Sequence, residues 1–312
     1  GGGGRRPPPM KRSEPAGLGS VVEFRRGTCY GCGLAVQTER PELPGFVDPS
    51  LYETRERFRQ LDLLQCSRCH ALRQGEMVNA VAHQGGAGAA EGLVTPEELR
   101  GQLLALRERR ALVVLVVDLL DFSGSFLNRL RDVVGGNPIV LVGTKADLLP
   151  AGADLRAVQA WVEGEVERKR LTLSSAHLVS GRTGEGMGGA VSGLMRARAG
   201  RDVYVLGAAN VGKSTFVAAL LEALRGQGDF SAPTRRLPTA SAMPGTTLGT
   251  IRVSRFEEGG ELYDTPGVCL DHRLCMLMDP EELPGLAPQR PLAPVSPLPP
   301  GSHGGGGGGG SR

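Results

Sequence analysis

Apolar runs and amphipathic segments alternate through the middle of this chain. The run Leu112–Val117 is apolar at every position, which is typical of a strand covered on both faces. Shorter runs of the same kind recur, and segments with helical periodicity separate them, which predicts an α/β fold with a doubly wound, mostly parallel sheet. The predicted strands are Leu112–Val117, Ile139–Val142, Leu171–Leu178, Val203–Leu206, Thr250–Val253 and Glu261–Tyr263. The predicted helices are Phe126–Val134, Leu155–Arg168, Met187–Arg198 and Lys213–Leu224.

Changes of composition divide the chain into five parts. Of its 312 residues, 47 are glycine and 22 are proline, and aromatic residues make up only 4%, so part of the chain is expected not to fold compactly. A capping-box helix start at Thr95 begins the α/β pattern. The predicted parts are 1–24 (disordered), 25–83 (cysteine-rich module), 84–94 (Gly/Ala linker), 95–284 (α/β domain) and 285–312 (disordered Pro/Gly-rich tail).

Charge and hydropathy exclude few functions. The formal net charge is +3, so nucleic-acid binding would require a local basic patch. The longest aliphatic run is far shorter than the roughly 20 residues that span a bilayer, so no transmembrane segment is predicted, while peripheral membrane contact stays open. The basic N-terminal residues have no apolar signal core beside them, so targeting cannot be inferred from them.

A glycine-rich loop follows the predicted strand Val203–Leu206. Its pattern, Gly207-x-x-x-x-Gly212-Lys213-Ser214, matches the phosphate loop of nucleotide hydrolases and stands between a strand and an apolar helix, as that motif requires. In such loops backbone N–H groups surround the phosphates, the lysine reaches the β- and γ-phosphates, and the hydroxyl binds Mg²⁺. The predicted nucleotide-binding residues here are Gly207, Asn210, Val211, Gly212, Lys213, Ser214 and Thr215.

Two segments after this loop have the features of Mg²⁺ and γ-phosphate binding. Asp264-Thr-Pro-Gly267 ends a short strand; Asp264 is predicted to hold Mg²⁺ through water and the Gly267 N–H to contact the γ-phosphate. Between loop and strand lies Pro244-Gly245-Thr246-Thr247, where one threonine would bind Mg²⁺ in the GTP state, although Pro-Gly also marks plain turns. Thr247 is favoured over Thr246 as this ligand. The predicted catalytic residues are Lys213, Thr247, Asp264 and Gly267, and the predicted Mg²⁺ ligands are Ser214, Thr247 and Asp264.

Two further positions bear on turnover. Val268 stands where many GTPases have a glutamine that orients the attacking water, so slow intrinsic hydrolysis is expected. Asn210 stands where potassium-stimulated GTPases have an asparagine that helps to coordinate the ion. A K⁺ site at Asn210 is therefore a hypothesis.

A candidate guanine motif, Thr144-Lys145-x-Asp147, follows the strand Ile139–Val142. A carboxylate at Asp147 accepts both the ring N–H and the exocyclic amine of guanine, which adenine does not offer, and Lys145 would pack over the base. Thr144 replaces the commoner asparagine, and the motif alone also occurs in ordinary strand-end loops. Ser180, in the segment 179–184, is predicted to belong to a second guanine-contacting loop that supplies a backbone N–H.

Four cysteines form two C-x-x-C pairs, Cys29/Cys32 and Cys66/Cys69. Two thiolates on one tight knuckle occupy two corners of a zinc tetrahedron, and a second knuckle completes a closed structural site, so a treble-clef-like zinc module is predicted. A redox role of the pairs and haem attachment at Cys66-x-x-Cys69-His70 are the alternatives. Cys269 and Cys275 lack ligand spacing and are interpreted as ordinary thiols.

The nucleotide motifs occur in rotated order, because the guanine motif precedes the phosphate loop and Asp264-Thr-Pro-Gly267 comes last. With the cysteine pairs and the stretch Val117-Asp118-x-x-Asp121-Phe122-x-Gly124-Ser125, this order resembles the YqeH-type circularly permuted GTPases, including the nitric-oxide-associated GTPases of animal mitochondria. From their residue types alone, Asp118 and Asp121 are interpreted as strand-end caps or surface acids. The resemblance covers about residues 25–285.

This resemblance implies a mitochondrial GTPase that uses GTP/GDP, Mg²⁺ and Zn²⁺ and acts in assembly of the small ribosomal subunit and in mitochondrial translation, with ribosomal RNA or the subunit as partner. It also implies a C-terminal domain that receives the γ-phosphate signal, of which residues 285–312 are expected to be a remnant. Two alternatives stay open. One is a nucleotide-gated RNA- or ribosome-binding module with negligible turnover, and the other is a zinc-finger scaffold with an inactive GTPase fold.

Overall fold

The computed structural model describes residues 27–41, 43–74, 76, 101, 104–226, 238–239, 246–270, 272–274, 277–279, 282–286, 288 and 290–293. Several predictions lie outside these residues: the N-terminal segment 1–24, the linker 84–94, the helix start at Thr95, Pro244-Gly245, Cys275 and most of the tail 285–312. No helix among the described residues combines the length and the apolar character needed to cross a membrane.

A six-stranded sheet forms the centre of the α/β part, in the order β3-β2-β1-β4-β6-β5. All neighbouring strands are parallel except β5, which is antiparallel to β6. Every residue of β1 is buried, as expected for a central strand covered by helices on both faces. The strands are β1 (Ala111–Asp118), β2 (Ile139–Thr144), β3 (Ser175–Leu178), β4 (Asp202–Gly207), β5 (Ile251–Arg255) and β6 (Glu261–Asp264).

Helices connect and cover these strands. Their apolar faces and the strands share one large core, in which β1 is fully buried and Phe216, in the first turn of the helix Lys213–Gly226, is 0% exposed. The described α-helices are α1 (Pro49–Arg57), α2 (Ser67–Arg73), α3 (Phe122–Ser125), α4 (Leu130–Val134), α5 (Leu155–Arg168), α6 (Met187–Arg198), α7 (Lys213–Gly226) and α8 (Leu283–Leu286). Short 3₁₀ helices occupy Leu61–Leu63, Leu104–Arg107, Leu119–Asp121 and Ala146–Leu148.

The predicted α/β class with a mostly parallel sheet is confirmed, but two predicted elements were wrong in extent. The strand predicted from Leu171 begins at Ser175, because β2 begins at Ile139 and the chain before Ser174 has no strand to pair with. The helix predicted over Phe126–Val134 is divided into α3 and α4. Arg129 has φ of 55° in the left-handed region, which α-helices of L-residues do not tolerate.

The strand order explains how a rotated sequence folds. From β1 the chain moves outward through β2 to β3, and from β4 it moves outward on the other side through β6 and β5. The direction therefore reverses between β1 and β4, and the crevice at the carboxyl ends of these two strands is where open α/β sheets bind ligands. The two halves are joined by α6 and the short link 199–201, so one continuous sheet results from a circularly permuted order.

The cysteine module, residues 27–74, has a small core of its own. Its buried residues include the four cysteines of the two C-x-x-C pairs together with Val47, Leu61 and Leu64. Helix α2 begins directly after Cys66 and carries Cys69 in its first turn. Leu72 of this helix packs against Leu283 of α8, so the module also contacts the chain downstream of β6.

Candidate functional site

The phosphate loop joins β4 to α7 with the backbone geometry that its glycines allow. A side chain at Gly207 would place its Cβ 2.6 Å from the carbonyl oxygen of Val116 in the neighbouring strand, so only glycine fits there. Gly212 has φ of 84° and Asn210 has φ of 60°, a region that glycine and asparagine adopt most readily. The loop therefore curves tightly at the amino end of α7, where the helix dipole favours an anion.

Three predicted Mg²⁺ and phosphate residues meet behind this loop. The side chains of Lys213 and Asp264 are both buried, and Thr247 donates from Oγ1 to Oδ2 of Asp264 at 3.3 Å. Burial raises the pKa of Asp264 to about 6, against the opposing effect of Lys213, and burial lowers the pKa of Lys213. These shifts arise because both ionised groups lie in a region of low dielectric.

The second carboxylate oxygen of Asp264, Oδ1, is buried and has no hydrogen-bond partner among the described residues. A buried unpaired carboxylate oxygen is costly, and Mg²⁺ with its waters is a group that would satisfy it. The hydroxyl of Ser214, at the start of α7, is half-buried beside Lys213. Oxygen donors of this kind suit Mg²⁺, so Ser214, Thr247 and Asp264 together fit the ion that the motif implies.

The strand β6 leads into a backbone contact with the phosphate loop. A Cβ on Gly267 would lie 2.9 Å from the Cα of Ala209, so the Asp264-Thr-Pro-Gly267 turn and the loop touch through backbone alone. The buried residue Val268 donates its N–H to the carbonyl of Gly207 at 3.1 Å and accepts from the N–H of Ala209 at 2.8 Å. The residue at the position of the usual glutamine is thus an apolar group fixed to the loop.

The guanine motif lies at the carboxyl end of β2, beside the phosphate loop. The single hydroxyl proton of Thr144 is shared between the carbonyl oxygens of Val117, at 3.0 Å, and Val211, so Thr144 links the motif to the phosphate loop. Lys145 has φ of 65° and its Nζ lies 2.5 Å from Oδ2 of Asp118. Thr144 therefore has a positioning role that its place in the motif did not indicate.

Asp147 and the loop after β3 form the second half of this motif. Burial favours the neutral form of Asp147, but a hydrogen bond from Ser180 and the guanidinium of Arg182, 2.7 Å away, outweigh it and lower its pKa. The side-chain oxygen of Ser180 accepts from the N–H of Arg182 and of Thr183, which closes the loop. A Cβ on Gly181 would lie 3.0 Å from Thr215, so this loop also contacts the start of α7.

An ion network that the sequence did not assign to the site surrounds Asp118. Its Oδ2 contacts Nζ of Lys145 and, at 3.3 Å, Nη2 of Arg273, a buried residue that follows β6. Arg273 also binds Oδ2 of Asp121 at 3.0 Å through Nε and donates to the carbonyl of Ala209 in the phosphate loop. The interpretation of Asp118 as a strand-end cap holds, since it accepts from the Leu120 N–H, but this residue is buried and not a surface acid. The feature of the sequence that could have indicated a role for Asp118 in the site is its place in the V-D-x-x-D-F-x-G-S stretch.

The four cysteines of the two pairs converge on one point. Their sulfur atoms all lie within 4.8 Å of one another and all four residues are buried. The N–H groups of Gly31 and Cys66 donate to the sulfur of Cys29, at 3.4 and 3.3 Å. Hydrogen bonds within the cluster lower the pKa of the Cys66 thiol and raise the pKa of Cys32 and Cys69, so the four thiols do not all ionise together unless a cation is present. Four sulfur donors at this spacing fit a structural Zn²⁺ ion.

His70 and Cys269 are not part of this cluster. His70 is exposed and contacts Gln74, at 3.4 Å. Cys269 is buried near the phosphate loop, outside the four-cysteine cluster.

Comparisons with known proteins show which family this chain is similar to. Residues 202–285 match the family model described as 50S ribosome-binding GTPase. The match begins at β4, so the guanine motif at residues 144–147 lies outside it. The chain is 45% identical over 273 residues to NO-associated protein 1, chloroplastic/mitochondrial, of Arabidopsis thaliana, an alignment that covers 87% of this chain and 49% of the relative. It is 34% identical to YqeH of Bacillus subtilis, over 85% of this chain and 65% of the relative. It is 29% identical to nitric oxide-associated protein 1 of Mus musculus, over 72% of this chain and 36% of the relative. The chain thus spans about half the length of its plant relative.

Proposed function

Because the chain belongs to the YqeH-type circularly permuted GTPases, we propose that it binds GTP and GDP with Mg²⁺ and hydrolyses GTP by water attack. The observation that carries this proposal is the meeting of Lys213, Thr247 and Asp264 behind the phosphate loop. Three motifs that lie far apart in the sequence supply these residues, and their arrangement leaves one buried carboxylate oxygen for Mg²⁺ and its water.

Each residue has a role in this proposal. Lys213 neutralises charge on the β- and γ-phosphates, and the Gly267 N–H contacts the γ-phosphate. Ser214, Thr247 and Asp264 would hold Mg²⁺, which would neutralise charge that develops on the phosphate oxygens. Asp147 selects guanine, with Lys145 over the base and Ser180 supporting the carboxylate.

Turnover without a partner is proposed to be slow. Val268 is buried and hydrogen-bonded to the phosphate loop, so it has neither the functional group nor the freedom to orient the attacking water. This observation also favours the second candidate function, a nucleotide-gated binding module with negligible turnover of its own. Single-turnover GTP hydrolysis separates the two functions when it is measured with and without ribosomal subunits.

The cellular role is proposed from the relatives. The name of the plant relative includes chloroplastic/mitochondrial, so we place this chain in an organelle, and specifically in mitochondria, as the resemblance to the animal proteins implies. There it would act in ribosome assembly and thereby support mitochondrial translation. The family points to the small ribosomal subunit as RNA-containing partner, whereas the matching family model is named after the 50S subunit. Cosedimentation with each separated subunit, in GDP and in a non-hydrolysable GTP analogue, decides between them.

The binding test uses a variant that removes one charge from the site. Lys213→Ala is expected to abolish binding of fluorescent GDP and GTP, because the loop then has no cation for the phosphates. Lys169→Ala, which removes an exposed lysine outside the site, is the matched control and should bind as the unaltered chain does. Unchanged nucleotide affinity in Lys213→Ala would contradict the proposed site.

A further inference from the structure

The cysteine module is hydrogen-bonded to the segment that carries Thr247. The carbonyl oxygen of Cys32 accepts from the N–H of Leu248 at 2.9 Å and from the N–H of Gly249 at 3.0 Å. We name residues 246–250 the switch segment. Two of its backbone donors thus end on the carbonyl of one predicted zinc ligand.

Close packing reinforces these bonds. The side chain of Leu248 packs against the module core that contains the four cysteines. A Cβ on Gly33 would lie 2.9 Å from the carbonyl oxygen of Gly249, and a Cβ on Gly249 would lie 3.0 Å from the carbonyl oxygen of Gly33. The two backbones therefore touch with no side chain between them, and a displacement of one displaces the other.

The opposite side of the switch segment faces the nucleotide site. Thr247 is 4% exposed and donates its hydroxyl to Asp264, whose other oxygen is free for Mg²⁺ and its water. Thr247 and Leu248 are consecutive, so the hydroxyl that contacts Asp264 and the N–H that contacts Cys32 belong to adjoining residues. A movement that brings Thr247 onto Mg²⁺, or releases it, must alter the bonds to Cys32.

A second contact lies on the other side of the undescribed residues 240–245. Thr239 is fully buried, and its N–H donates to the carbonyl of Gly31 at 3.1 Å. Its Oγ1 accepts from Nε2 of Gln65 at 3.4 Å. The knuckle that holds Cys29 and Cys32 is thus hydrogen-bonded to the chain both before and after residues 240–245.

We propose that the cysteine module receives the nucleotide signal through the switch segment, so that occupancy of the γ-phosphate position and Zn²⁺ binding are thermodynamically coupled. This inference rests on the proposed GTPase function, since it requires that nucleotide binds. The output of the permuted GTPase then runs toward the N-terminal module as well as through the chain after Gly267. By linkage, the nucleotide state changes the zinc affinity by the same factor by which zinc changes the preference between GTP and GDP.

The test measures zinc affinity by competition with a chromogenic chelator in protein saturated with Mg²⁺ and either GDP or a non-hydrolysable GTP analogue. We expect roughly a fivefold or larger difference in zinc affinity between the two states. Gly249→Val places a side chain between the switch segment and Gly33 and should reduce the difference to less than roughly twofold, with zinc still bound. Gly136→Val is the matched control, because nothing lies within 4 Å of a Cβ there. It should keep the full difference.

Equal zinc affinities in the two states, in protein that binds both nucleotides, would overturn the coupling and leave the proposed GTPase function intact. Absence of nucleotide binding would overturn both. Hydrogen exchange in the unaltered protein is independent of whether Gly249→Val folds. The amides of residues 29–36 should exchange at different rates in the two nucleotide states, and identical rates would also overturn the inference.

Discussion

Oδ2 of Asp118 lies 3.3 Å from Nη2 of Arg273 and 2.5 Å from Nζ of Lys145. One carboxylate oxygen thus connects the lysine of the guanine motif with an arginine downstream of β6. Arg273 is 7% exposed and also donates to the carbonyl of Ala209 in the phosphate loop. The guanine motif, the phosphate loop and the segment after Gly267 are therefore held together by this network.

Asp118→Asn is expected to destabilise the protein and weaken GDP binding. The amide keeps the size of the side chain but leaves Lys145 and the buried Arg273 without their shared negative charge. Removing one partner of a buried ion pair costs about 3–5 kcal/mol, and because Arg273 keeps Asp121, we expect a loss of about 3 kcal/mol in the free energy of unfolding. Denaturant unfolding and GDP titration measure both effects. Asp132→Asn, which changes an exposed side chain, should alter neither quantity. If Asp118→Asn keeps both its stability and its GDP affinity, the proposed role of the network is contradicted.

The sequence predicted the parts of the fold that depend on local periodicity. Helices α5 and α6 have the predicted bounds, because their apolar spacing, their starts and their ends all agree. The strand predicted from Leu171 failed because strand length depends on the partner, and β2 provides pairing only from Ser175 onward. No pattern in residues 171–178 could have shown where β2 begins.

The site residues divide in the same way into those that local sequence indicates and those that only the fold brings together. The phosphate-loop residues could be named because each has a fixed chemical role at a fixed spacing. Arg273 could not, because its partners Asp118 and Ala209 are brought to it by the sheet order and not by sequence spacing. The contact between Cys32 and the switch segment could not be predicted either, because it joins backbone groups, which every residue has.

Asp147→Asn is expected to change the base preference from guanine to xanthine. The carboxylate accepts two donors of guanine, whereas an asparagine amide donates one hydrogen bond, which suits the additional carbonyl of xanthine. We expect GDP affinity to fall by roughly a hundredfold, about 2.7 kcal/mol, in line with the loss of hydrogen bonds to a charged group. Titrations with GDP and with xanthosine diphosphate measure the change in base preference. Asp154→Asn, which alters a helix cap elsewhere, is the control, and equal GDP affinity in Asp147→Asn would refute the assignment of Asp147.

The stability of the Mg²⁺-free protein is expected to fall as pH rises through the range set by Asp264. Burial raises the pKa of this carboxyl from 3.8 to about 6, so the folded state holds the proton more tightly than the unfolded chain. The stabilisation that protonated Asp264 provides is therefore full below about pH 4 and is lost by about pH 6, a change of roughly 3 kcal/mol. Asp264→Asn cannot titrate and should lack this contribution.

The difference in unfolding free energy between the unaltered protein and Asp264→Asn isolates this group from other titrating side chains. That difference should change with pH between about 4 and about 6, and saturating Mg²⁺ should reduce its dependence on pH, because the ion favours the carboxylate. A pH-independent difference would show that Asp264 has an ordinary pKa in the fold.

The four-cysteine cluster is expected to hold about one Zn²⁺ ion per chain, as closed four-thiolate sites do. Cys66→Ser removes one ligand and should reduce the zinc content of freshly purified protein to near zero, because an incomplete structural site loses most of its affinity. Elemental analysis gives the stoichiometry. Cys269→Ser is the matched control, since Cys269 is a buried cysteine outside the cluster, and it should retain the metal. If the freshly purified protein without substitutions contains no metal, the structural zinc site is excluded.

GTP turnover is expected to be faster in K⁺ than in Na⁺ if Asn210 coordinates a cation beside the phosphates. Asn210 lies in the phosphate loop with φ of 60°, and Val268 supplies no group for the attacking water, so a cation at Asn210 would add to the charge stabilisation proposed for Lys213 and Mg²⁺. A stabilisation of the transition state by about 1.4 kcal/mol corresponds to a tenfold higher rate. Asn210→Gly adopts the same φ without strain but has no side-chain oxygen, so it should bind GDP and lose the dependence on K⁺. Equal single-turnover rates in the two salts for the unaltered protein would refute a K⁺ site, and K⁺ dependence that persists in Asn210→Gly would assign the ion to other ligands.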